Sequence, residues 1–396
     1  MTLNLFLTAS DVWLFRDGKS FDAGSDHRAR TLFPPPPSVI QGALRSAYIA
    51  RTTCSFDDYI HDRPTAAAIR HQIGPNGQGS YGNLALRGPF VATYNGSQVT
   101  RYYPLPADLV RQEQQGPNAA CPWQRLRLRS LDPIVISPVR GHTNANQLRW
   151  PTTDSDDAEQ PSDYWISEQA LLAYLTNASV PQPTDLLHSN DLFARESRVG
   201  VGLNNQLRAA QESLLYEVEF ARPQFDTGLM VSAEGLDGNG VTWGQGGALS
   251  LGGENRVAHY TTLAATATPP LAGPQLKGAF CLYLATPTYF DNGWQPTAGD
   301  WQRFFTGDTS SLTLQAAAIG RMVALGGIDL AASSRRGRGQ GIIHKPARRF
   351  VPAGSVYYFK TDKPLTLKQG NSLCSGADWQ IGFGQVLAGR WEDGNV

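Results

Sequence analysis

The chain has 396 residues, 41% of them hydrophobic, and its 34 Lys and Arg balance 34 Asp and Glu, so the formal net charge is zero. Neutrality excludes a protein that coats nucleic acid with its whole surface, although it is compatible with one basic groove. Four widely spaced cysteines without a CxxC pair exclude a zinc ribbon and a disulfide framework.

The sequence carries no recognisable targeting or membrane signal. The N-terminal stretch MTLNLFLTASDVWLF has no basic region and no signal-type cleavage pattern. No segment has the roughly 18 uninterrupted apolar residues of a membrane span. We therefore expect a cytoplasmic protein without a membrane partner. Its 40 Gly and 26 Pro favour short strands, turns and long loops over long helices.

The N-terminal part predicts two strands followed by a helix. The strands are expected at Leu3–Leu7 and Val12–Phe15. The proline run FPPPP at 33–37 is a suitable helix start, because a proline at the first helical position loses no hydrogen bond. Apolar residues then recur at helical spacing at Ile40, Ala43, Leu44, Ala47 and Tyr48.

The same helix is predicted to have a polar face. Gln41 and Arg45 are one turn apart and lie opposite the apolar residues. Gly42 costs the helix about 1 kcal/mol relative to alanine, which is tolerable where a ligand must approach the backbone closely. For Arg45 the residues alone leave an ordinary solvated position equally open.

Two patterns follow in the first half. Asn95-Gly96 lies between two β-rich runs and predicts a hairpin with a type I′ turn. Arg125, Arg127 and Arg129 alternate with leucines, so a strand would place the arginines on one face. That face suits contacts with phosphates, and it equally suits a sheet edge protected by charge.

Two glycine-rich stretches in the second half also carry arginines. RESRVGVGL predicts a loop around Gly200 and Gly202 that carries Arg198, before a strand at Leu214–Phe220. WGQGGALSLGGENR carries Arg256. It is not a P-loop, because no GKS or GKT follows, and it does not fit the dinucleotide pattern.

The most basic stretch lies near the C-terminal end, between predicted strands at Gly278–Ala285 and Ser355–Lys360. Residues 321–360 contain eight Lys and Arg against one Asp. Three of these arginines, Arg335, Arg336 and Arg338, alternate with glycines. Glycine permits close backbone approach, and the planar guanidinium matches phosphate and stacks on bases. The stretch therefore suits a nucleic-acid backbone, with a solvated loop as the alternative.

Catalytic motifs are not found. The chain has no GxSxG, no HExxH and no paired-carboxylate motif, and no metal or other cofactor is predicted. His27, in SDHRAR, is a candidate general base for RNA cleavage through the 2′-hydroxyl. A lone loop histidine is more often structural or simply exposed. Asp22 and Asp26 lack a visible set of further metal ligands.

Several stretches together resemble one family. In order they are DVWLFRDGKSF, LFPPPPSVIQGALRSAY, RESRVGVGL, LGGENRVAHY, RRFVPAGSVYYF and IGFGQVLAGRW. The chain is similar to the RAMP subunit of the CRISPR type III-B Cmr effector complex that holds the 5′ end of the guide RNA. The resemblance spans nearly the whole chain, and the proline block and VPAGSVYYF are its most specific parts.

The resemblance implies an α+β protein of two ferredoxin-like, RRM-related domains with antiparallel sheets, which we place at 1–209 and 210–396. It implies a non-catalytic clamp on the repeat-derived 5′ tag of the crRNA, acting in antiviral defence. The implied partners are the crRNA, the large polymerase/cyclase-domain subunit and the adjoining RAMP backbone subunit, with target RNA contacted indirectly.

The resemblance and the residue chemistry together nominate arginines that can hold phosphates and glycines that allow close approach. The predicted RNA-binding residues are Gln41, Gly42, Arg45, Arg198, Arg256, Arg335, Arg336, Arg338, Arg348, Gly382 and Gly384. Two alternatives stay open. One is a RAMP-type endoribonuclease that processes repeat RNA with His27 as base, and the other is the equivalent clamp subunit of another type III complex.

Overall fold

The computed structural model describes residues 1–17, 28–77, 79–112, 123–130, 148–153, 158–161, 163–204, 209–264, 275–329, 332–333, 343–368 and 370–391. Within these ranges the protein is mixed α/β, with mostly antiparallel sheets and few helices. The predicted antiparallel α+β character is thus confirmed. The finer assignment, two ferredoxin-like domains, stays a prediction.

The strands are spread along the whole described chain. They are β1 Leu3–Ala9, β2 Arg28–Ala29, β3 Ala85–Tyr94, β4 Val99–Pro104, β5 Leu109–Gln112, β6 Trp123–Arg125, β7 Arg127–Ser130, β8 Arg149–Thr152, β9 Ala158–Glu159, β10 Tyr164–Ser167, β11 Leu186–His188, β12 Phe193–Asn204, β13 Ala209–Pro223, β14 Thr227–Glu234, β15 Gly246–Ser250, β16 Val257–Leu263, β17 Leu276–Leu284, β18 Phe305–Thr306, β19 Thr313–Ala318, β20 Val323–Ile328, β21 His344–Phe350, β22 Val356–Leu367 and β23 Val386–Arg390.

The helices are short. They are α1 Pro37–Ile49, α2 Phe56–Ile60, α3 Ala67–Ile73, α4 Glu168–Asn177 and α5 Ser189–Leu192, with single 3₁₀ turns at Pro64–Ala66, Pro183–Asp185, Thr297–Gly299, Gln302–Phe304 and Asp378–Ile381. Among the described helices, none is long and apolar enough to cross a membrane. Helix α1 begins at the last proline of the run, as predicted, because Pro37 occupies the first turn without losing a hydrogen bond.

The largest sheet has eight strands in the order β11-β10-β4-β3-β14-β1-β16-β15, and all its pairings are antiparallel. Strand β1 lies between β14 and β16, and its middle residues are buried on both faces: Leu5 and Leu7 pack into the main core, and Phe6 packs with Met230 in a smaller cluster. Helix α1 buries Ile40, Leu44 and Tyr48 in the core that includes residues of this sheet.

A second sheet carries the C-terminal part of the chain. Its order is β18-β22-β17-β23, with β19 also paired to β22. One of its cores is rich in aromatic rings, including Phe280, Trp301 and Phe359. Helix α4 packs closely on β23: a side chain added at Gly389 would stand 2.6 Å from the carbonyl oxygen of Leu175.

The two sheets do not divide at the predicted boundary between residues 209 and 210. Strands on both sides of that position belong to the eight-stranded sheet. The boundary falls at the start of β13, which pairs with β12 as one long hairpin and also makes a parallel pairing with β2. The second sheet begins later, with Leu276 of β17.

A buried polar network joins the small sheet of β6, β5 and β9 to the second sheet. The carboxylate of Asp108, which is 0% exposed, accepts hydrogen bonds from the Arg125 guanidinium at 2.9 Å and from the Tyr358 hydroxyl. The Arg125 guanidinium also stacks over the Tyr174 ring at 4.7 Å. Burial opposes the charge on Arg125, but the combined attraction of Asp108 and of the neighbouring Tyr358, Tyr174 and Cys281 outweighs it and raises the pKa of that guanidinium.

Three local predictions need correction. The arginines at 125, 127 and 129 do not share one exposed face, because β6 ends at Arg125, whose side chain turns inward to Asp108. The stretch around Gly200 is strand β12 rather than a loop. Residues 12–15 make a single bridge between Trp13 and Ala221 instead of a strand.

The hairpin predicted at Asn95-Gly96 is confirmed, since β3 and β4 pair around it. The turn is not type I′, because Gly96 has a positive φ of 91° whereas Asn95 has none. The Asn95 side-chain oxygen instead accepts hydrogen bonds from the backbone N–H groups of Ser97 and Gln98.

Candidate RNA interface

Strands β20 and β21 form a two-stranded basic hairpin, which we call the arm. Leu325 and Phe350 are buried where the arm joins the body, and most other described positions of the two strands are exposed. The far ends of the strands are held together by a hydrogen bond from the Asp329 N–H to the Ile343 carbonyl at 2.8 Å. In sequence, Arg335, Arg336 and Arg338 lie between these ends, and they fall outside the described residues.

Arg348 is fixed at the base of the arm. Its guanidinium pairs with Asp378 at 2.6 Å and stacks over the rings of Tyr289 at 4.6 Å and Phe350 at 5.4 Å. Asp378 also accepts a hydrogen bond from Tyr81. The charge of Arg348 is therefore compensated, and its flat face is already occupied by aromatic rings.

Lys345 and Arg349 differ from Arg348. Arg349 lies on the opposite face of β21 from Arg348, whereas Lys345 pairs with Gly327 beyond a bulge in the arm. Arg349 is exposed and Lys345 half-buried. Neither has an acidic partner among the described residues. The arm therefore presents uncompensated positive charge next to the sequence segment that carries three further arginines.

Arg198 and Arg256 come together, but in a charge-balanced setting. We call the group the arginine–carboxylate cluster; it consists of Arg198, Arg222, Arg256, Asp11, Glu196 and Glu254. Asp11 pairs with Arg198 at 3.0 Å, with Arg222 at 2.9 Å and with Arg256 at 3.7 Å. Glu196 pairs with Arg198 and Arg222, and Glu254 pairs with Arg256.

The pairing in this cluster also affects its protonation. The hydrogen bond from Arg198 lowers the pKa of Asp11, and the one from Arg222 lowers the pKa of Glu196. Arg198 and Arg256 both lie over the Phe220 ring, at 4.9 and 4.8 Å. Their charges and ring-stacking faces are thus engaged within the protein, and the cluster fixes the base of the β12/β13 hairpin to the turn at 254–256.

The predicted polar face of helix α1 is not exposed. Gln41 is 7% exposed, and Arg45 donates hydrogen bonds to the carbonyl oxygens of Gly74 and Pro75, at 3.4 and 2.7 Å. Burial lowers the pKa of Arg45 to about 10. The prediction of a solvated face was wrong because the chain from 56 to 75 covers this side of the helix. Gly42 is exposed, with open space around it.

Gly382 and Gly384 lie where the C-terminal chain packs on the large sheet. Both have positive φ, and a side chain at Gly382 would stand 2.5 Å from the carbonyl oxygen of Gly88. Next to them, the Gln385 amide accepts a hydrogen bond from the Gly88 N–H and donates one to the Leu86 carbonyl, both at 3.0 Å. Both glycines allow close approach, but by the same chain: strand β3 approaches Gly382, and Leu373 and Thr288 approach Gly384.

An apolar cavity of about 320 Å³ lies beside the arm. The proline run forms one wall, with Tyr102, Trp165 and Pro352-Ala353 on the others, and Val323 and Leu325 of the arm close one side. The two stretches that carry most of the family resemblance, FPPPP and VPAGSVYYF, thus meet here. Sequence reasoning missed the aromatic lining; the adjacent aromatic pairs Tyr102-Tyr103 in β4 and Tyr164-Trp165 in β10 were the available signal.

In the described ranges, no group of three or more His, Cys, Asp or Glu residues is placed to hold a metal ion. His27, the candidate base of the alternative ribonuclease, falls outside these ranges.

Sequence comparison assigns the family. The model described as CRISPR-associated protein (Cas_Cmr3) matches residues 5–391. The chain belongs to this family. The resemblance drawn from the proline block and the glycine-rich motifs is thereby confirmed, and the protein is a Cmr3-type subunit of a type III-B CRISPR effector complex. No curated protein sequence shows significant similarity to it.

Solved structures with similar chains include complexes of this kind. A chain of the type III-B Cmr-beta complex bound to cognate target RNA and AMPPnP is 13% identical, with a TM-score of 0.46 over 90% of this chain and 86% of that one. A chain of the Cmr-beta complex bound to cognate target RNA is 12% identical, with a TM-score of 0.46 over 97% and 96%. A chain of the Csm3–Csm4 subcomplex of a type III-A interference complex is 9% identical, with a TM-score of 0.35 over 92% and 99%.

Proposed function

We propose that this Cmr3-type subunit is a non-catalytic clamp that holds the repeat-derived 5′ tag of the crRNA within the effector complex. The basic arm is the principal contact with the RNA backbone. The observation that carries the proposal is the uncompensated charge of Lys345 and Arg349 on exposed strands that flank Arg335, Arg336 and Arg338.

The physical argument rests on how single-stranded RNA is held. Arginine and lysine neutralise phosphates, and exposed backbone N–H groups add further contacts. Glycines between the arginines let the protein backbone approach the RNA. The described strands of the arm are paired and largely exposed, so that an extended RNA strand can lie along them.

A different surface supports the proposed contact with neighbouring protein subunits. On one face of the β12/β13 hairpin, Val199 is 67% exposed and Leu215 is 62% exposed, and Val201 lies opposite Leu215 in the register. Grouped apolar side chains in contact with water favour an interface. We assign this face to an adjoining subunit of the complex, either the RAMP backbone subunit or the large polymerase-domain subunit.

The proposal is tested by measuring the affinity of the chain for single-stranded RNA that carries the 5′ tag, over a series of salt concentrations. Replacing Arg335, Arg336 and Arg338 by alanine is expected to weaken binding and to lower the slope of log affinity against log salt by about 2, at about 0.7 per phosphate contact. RNA of equal length with a scrambled tag is expected to bind more weakly than the tagged RNA.

The matched control removes the same amount of charge from the arginine–carboxylate cluster, by replacing Arg198, Arg222 and Arg256 with alanine. Because these arginines are already paired with carboxylates, the salt slope is expected to change little. An equal loss of slope in both triple variants would mean that overall charge, rather than the arm, governs binding. Equal affinity for tagged and scrambled RNA would contradict the clamp.

A further inference from the structure

The cavity beside the arm has aromatic lining residues, and two exposed arginines lie close in sequence to its lining positions. Tyr102 and Trp165 contribute aromatic surface, and the remaining lining is dominated by proline and aliphatic side chains. Arg30 and Arg321 are exposed and stand two residues before the cavity-lining Leu32 and Val323. Neither arginine has a carboxylate partner within the described ranges. A volume of about 320 Å³ is large enough for one small planar ligand.

The cavity and the arm share strand β20. Val323 and Leu325 line the cavity, and in the register of the arm they lie opposite Phe350 and Arg348. A strand of RNA whose phosphates follow the arm therefore passes the mouth of the cavity. Apolar and aromatic walls favour a base face, while the exposed Arg30 and Arg321, two residues from lining positions, favour the phosphates on either side of it.

We propose that one unstacked base of the RNA held by the arm inserts into this cavity, an inference that rests on the proposed clamp function. The phosphates of the flanking nucleotides contact Arg30 and Arg321. The base is held by stacking and apolar contact, because single-stranded RNA is recognised through bases splayed onto aromatic surfaces.

The lining also indicates what kind of selectivity to expect. The Thr286 hydroxyl already donates to the Gly382 carbonyl at 2.7 Å and accepts from the Gln385 N–H at 2.9 Å. The Tyr103 hydroxyl is directed to Glu168. With these two hydroxyls engaged and most of the lining apolar, selection is mainly by shape and stacking area, and a purine binds better than a pyrimidine.

The test uses the full chain and tagged RNAs in which one nucleotide at a time is replaced by an abasic site. In the wild-type protein one abasic position is expected to weaken binding by about 5- to 150-fold, the range of a single stacked base. Purines at that position are expected to bind more tightly than pyrimidines.

Two variants then alter the cavity. Ala353→Trp fills it, and Tyr102→Ala removes part of its aromatic wall. In both, the abasic substitution at the sensitive position is expected to change affinity less than in the wild type, because the base contact is already lost. Phe225→Ala, which removes a fully exposed ring outside the cavity, is the matched control and keeps the wild-type pattern.

A wild-type protein with no sensitive position would overturn the inference while leaving RNA binding intact. Equal sensitivity in the wild type and in both cavity variants would do the same. If Ala353→Trp instead weakens association with a neighbouring subunit and leaves the sensitivity to abasic sites unchanged, the cavity binds that subunit. The inference is then wrong. A wild-type chain that binds no tagged RNA overturns the clamp function, and this inference with it.

Discussion

The arm and the arginine–carboxylate cluster are both rich in arginine, yet they differ in how the charge is used. In the cluster, Arg198, Arg222 and Arg256 face Asp11 and two glutamates at ion-pair distance. On the arm, Lys345 and Arg349 have no acidic partner among the described residues. Paired arginines hold the fold together, whereas unpaired ones are available to a polyanion.

Replacing arginines of the two groups should therefore have different effects. Breaking a paired arginine should lower stability and leave the RNA affinity of the folded protein unchanged. Removing an unpaired one should lower affinity and leave stability unchanged, because exposed side chains without partners contribute little to the folded state. A variant that lowers both the stability and the RNA affinity of the folded protein would contradict this distinction.

The largest effect is expected at the most buried pair. Asp108→Ala leaves the Arg125 guanidinium buried without its carboxylate, which should lower the free energy of unfolding by about 3–5 kcal/mol. Chemical denaturation measures the loss. RNA affinity of the remaining folded protein should be unchanged.

The control for this variant is Lys363→Ala, which breaks an exposed pair with Asp308. Because water screens that pair, its removal should be nearly silent. A comparable loss of stability in both variants would mean that burial does not set the strength of these pairs.

Two glycines likewise differ in whether their surroundings are closely packed or open. Gly382→Ala places a side chain 2.5 Å from the Gly88 carbonyl at a φ of 104°, and the backbone strain alone should cost about 1–3 kcal/mol. Gly42→Ala, on an exposed helix position with open space, should stabilise the protein by up to about 1 kcal/mol. Thermal unfolding of both variants checks this, and weaker RNA binding by the stable Gly42 variant would place a ligand at helix α1.

An intermediate effect is expected on the arm. Replacing Lys345 and Arg349 together by alanine should lower the salt slope by about 1.4 and weaken RNA binding about tenfold near physiological salt. The melting temperature should stay that of the wild type. Fluorescence anisotropy with tagged RNA measures the affinity, and an unchanged slope would remove these two side chains from the interface.

The smallest effect is expected in the cluster and depends on pH. Arg198 holds the pKa of Asp11 below its ordinary value of 3.8, so the ion pairs of Asp11 stabilise the folded protein above about pH 4. That stabilisation is lost as the pH falls through the lowered pKa. Asp11→Asn should therefore melt slightly below the wild type at pH 7, and the two should converge at strongly acidic pH. A difference that persists there would mean that Asp11 acts other than through its charge.

The sequence predicted the elements whose signals are local. Helix α1 was predictable because a proline start and apolar residues at helical spacing lie within one stretch, and the β3/β4 hairpin because Asn95-Gly96 follows a strand directly. Strands β17 and β22 were likewise close to their predicted ranges.

The rest depends on residues far apart in the chain. Arg198 pairs with Asp11, 187 residues earlier, and no local pattern indicates that the arginine is compensated. Gln41 and Arg45 do share a helix face, as their spacing implies, but the segment that covers this face is itself set by tertiary packing. The cavity has the same character, since its walls come from seven separate parts of the chain.

Strand β1 has a consequence for how the protein is made. Both of its neighbours, β14 and β16, follow it far along the chain: β1 ends at Ala9 and β14 begins at Thr227. At about 5–20 residues per second, a ribosome needs about 10–45 s to synthesise the chain between them. During that time the apolar sequence LNLFL has neither of its native partners. The nascent protein thus depends on chaperones or on its own later segments to keep this strand from pairing with other chains.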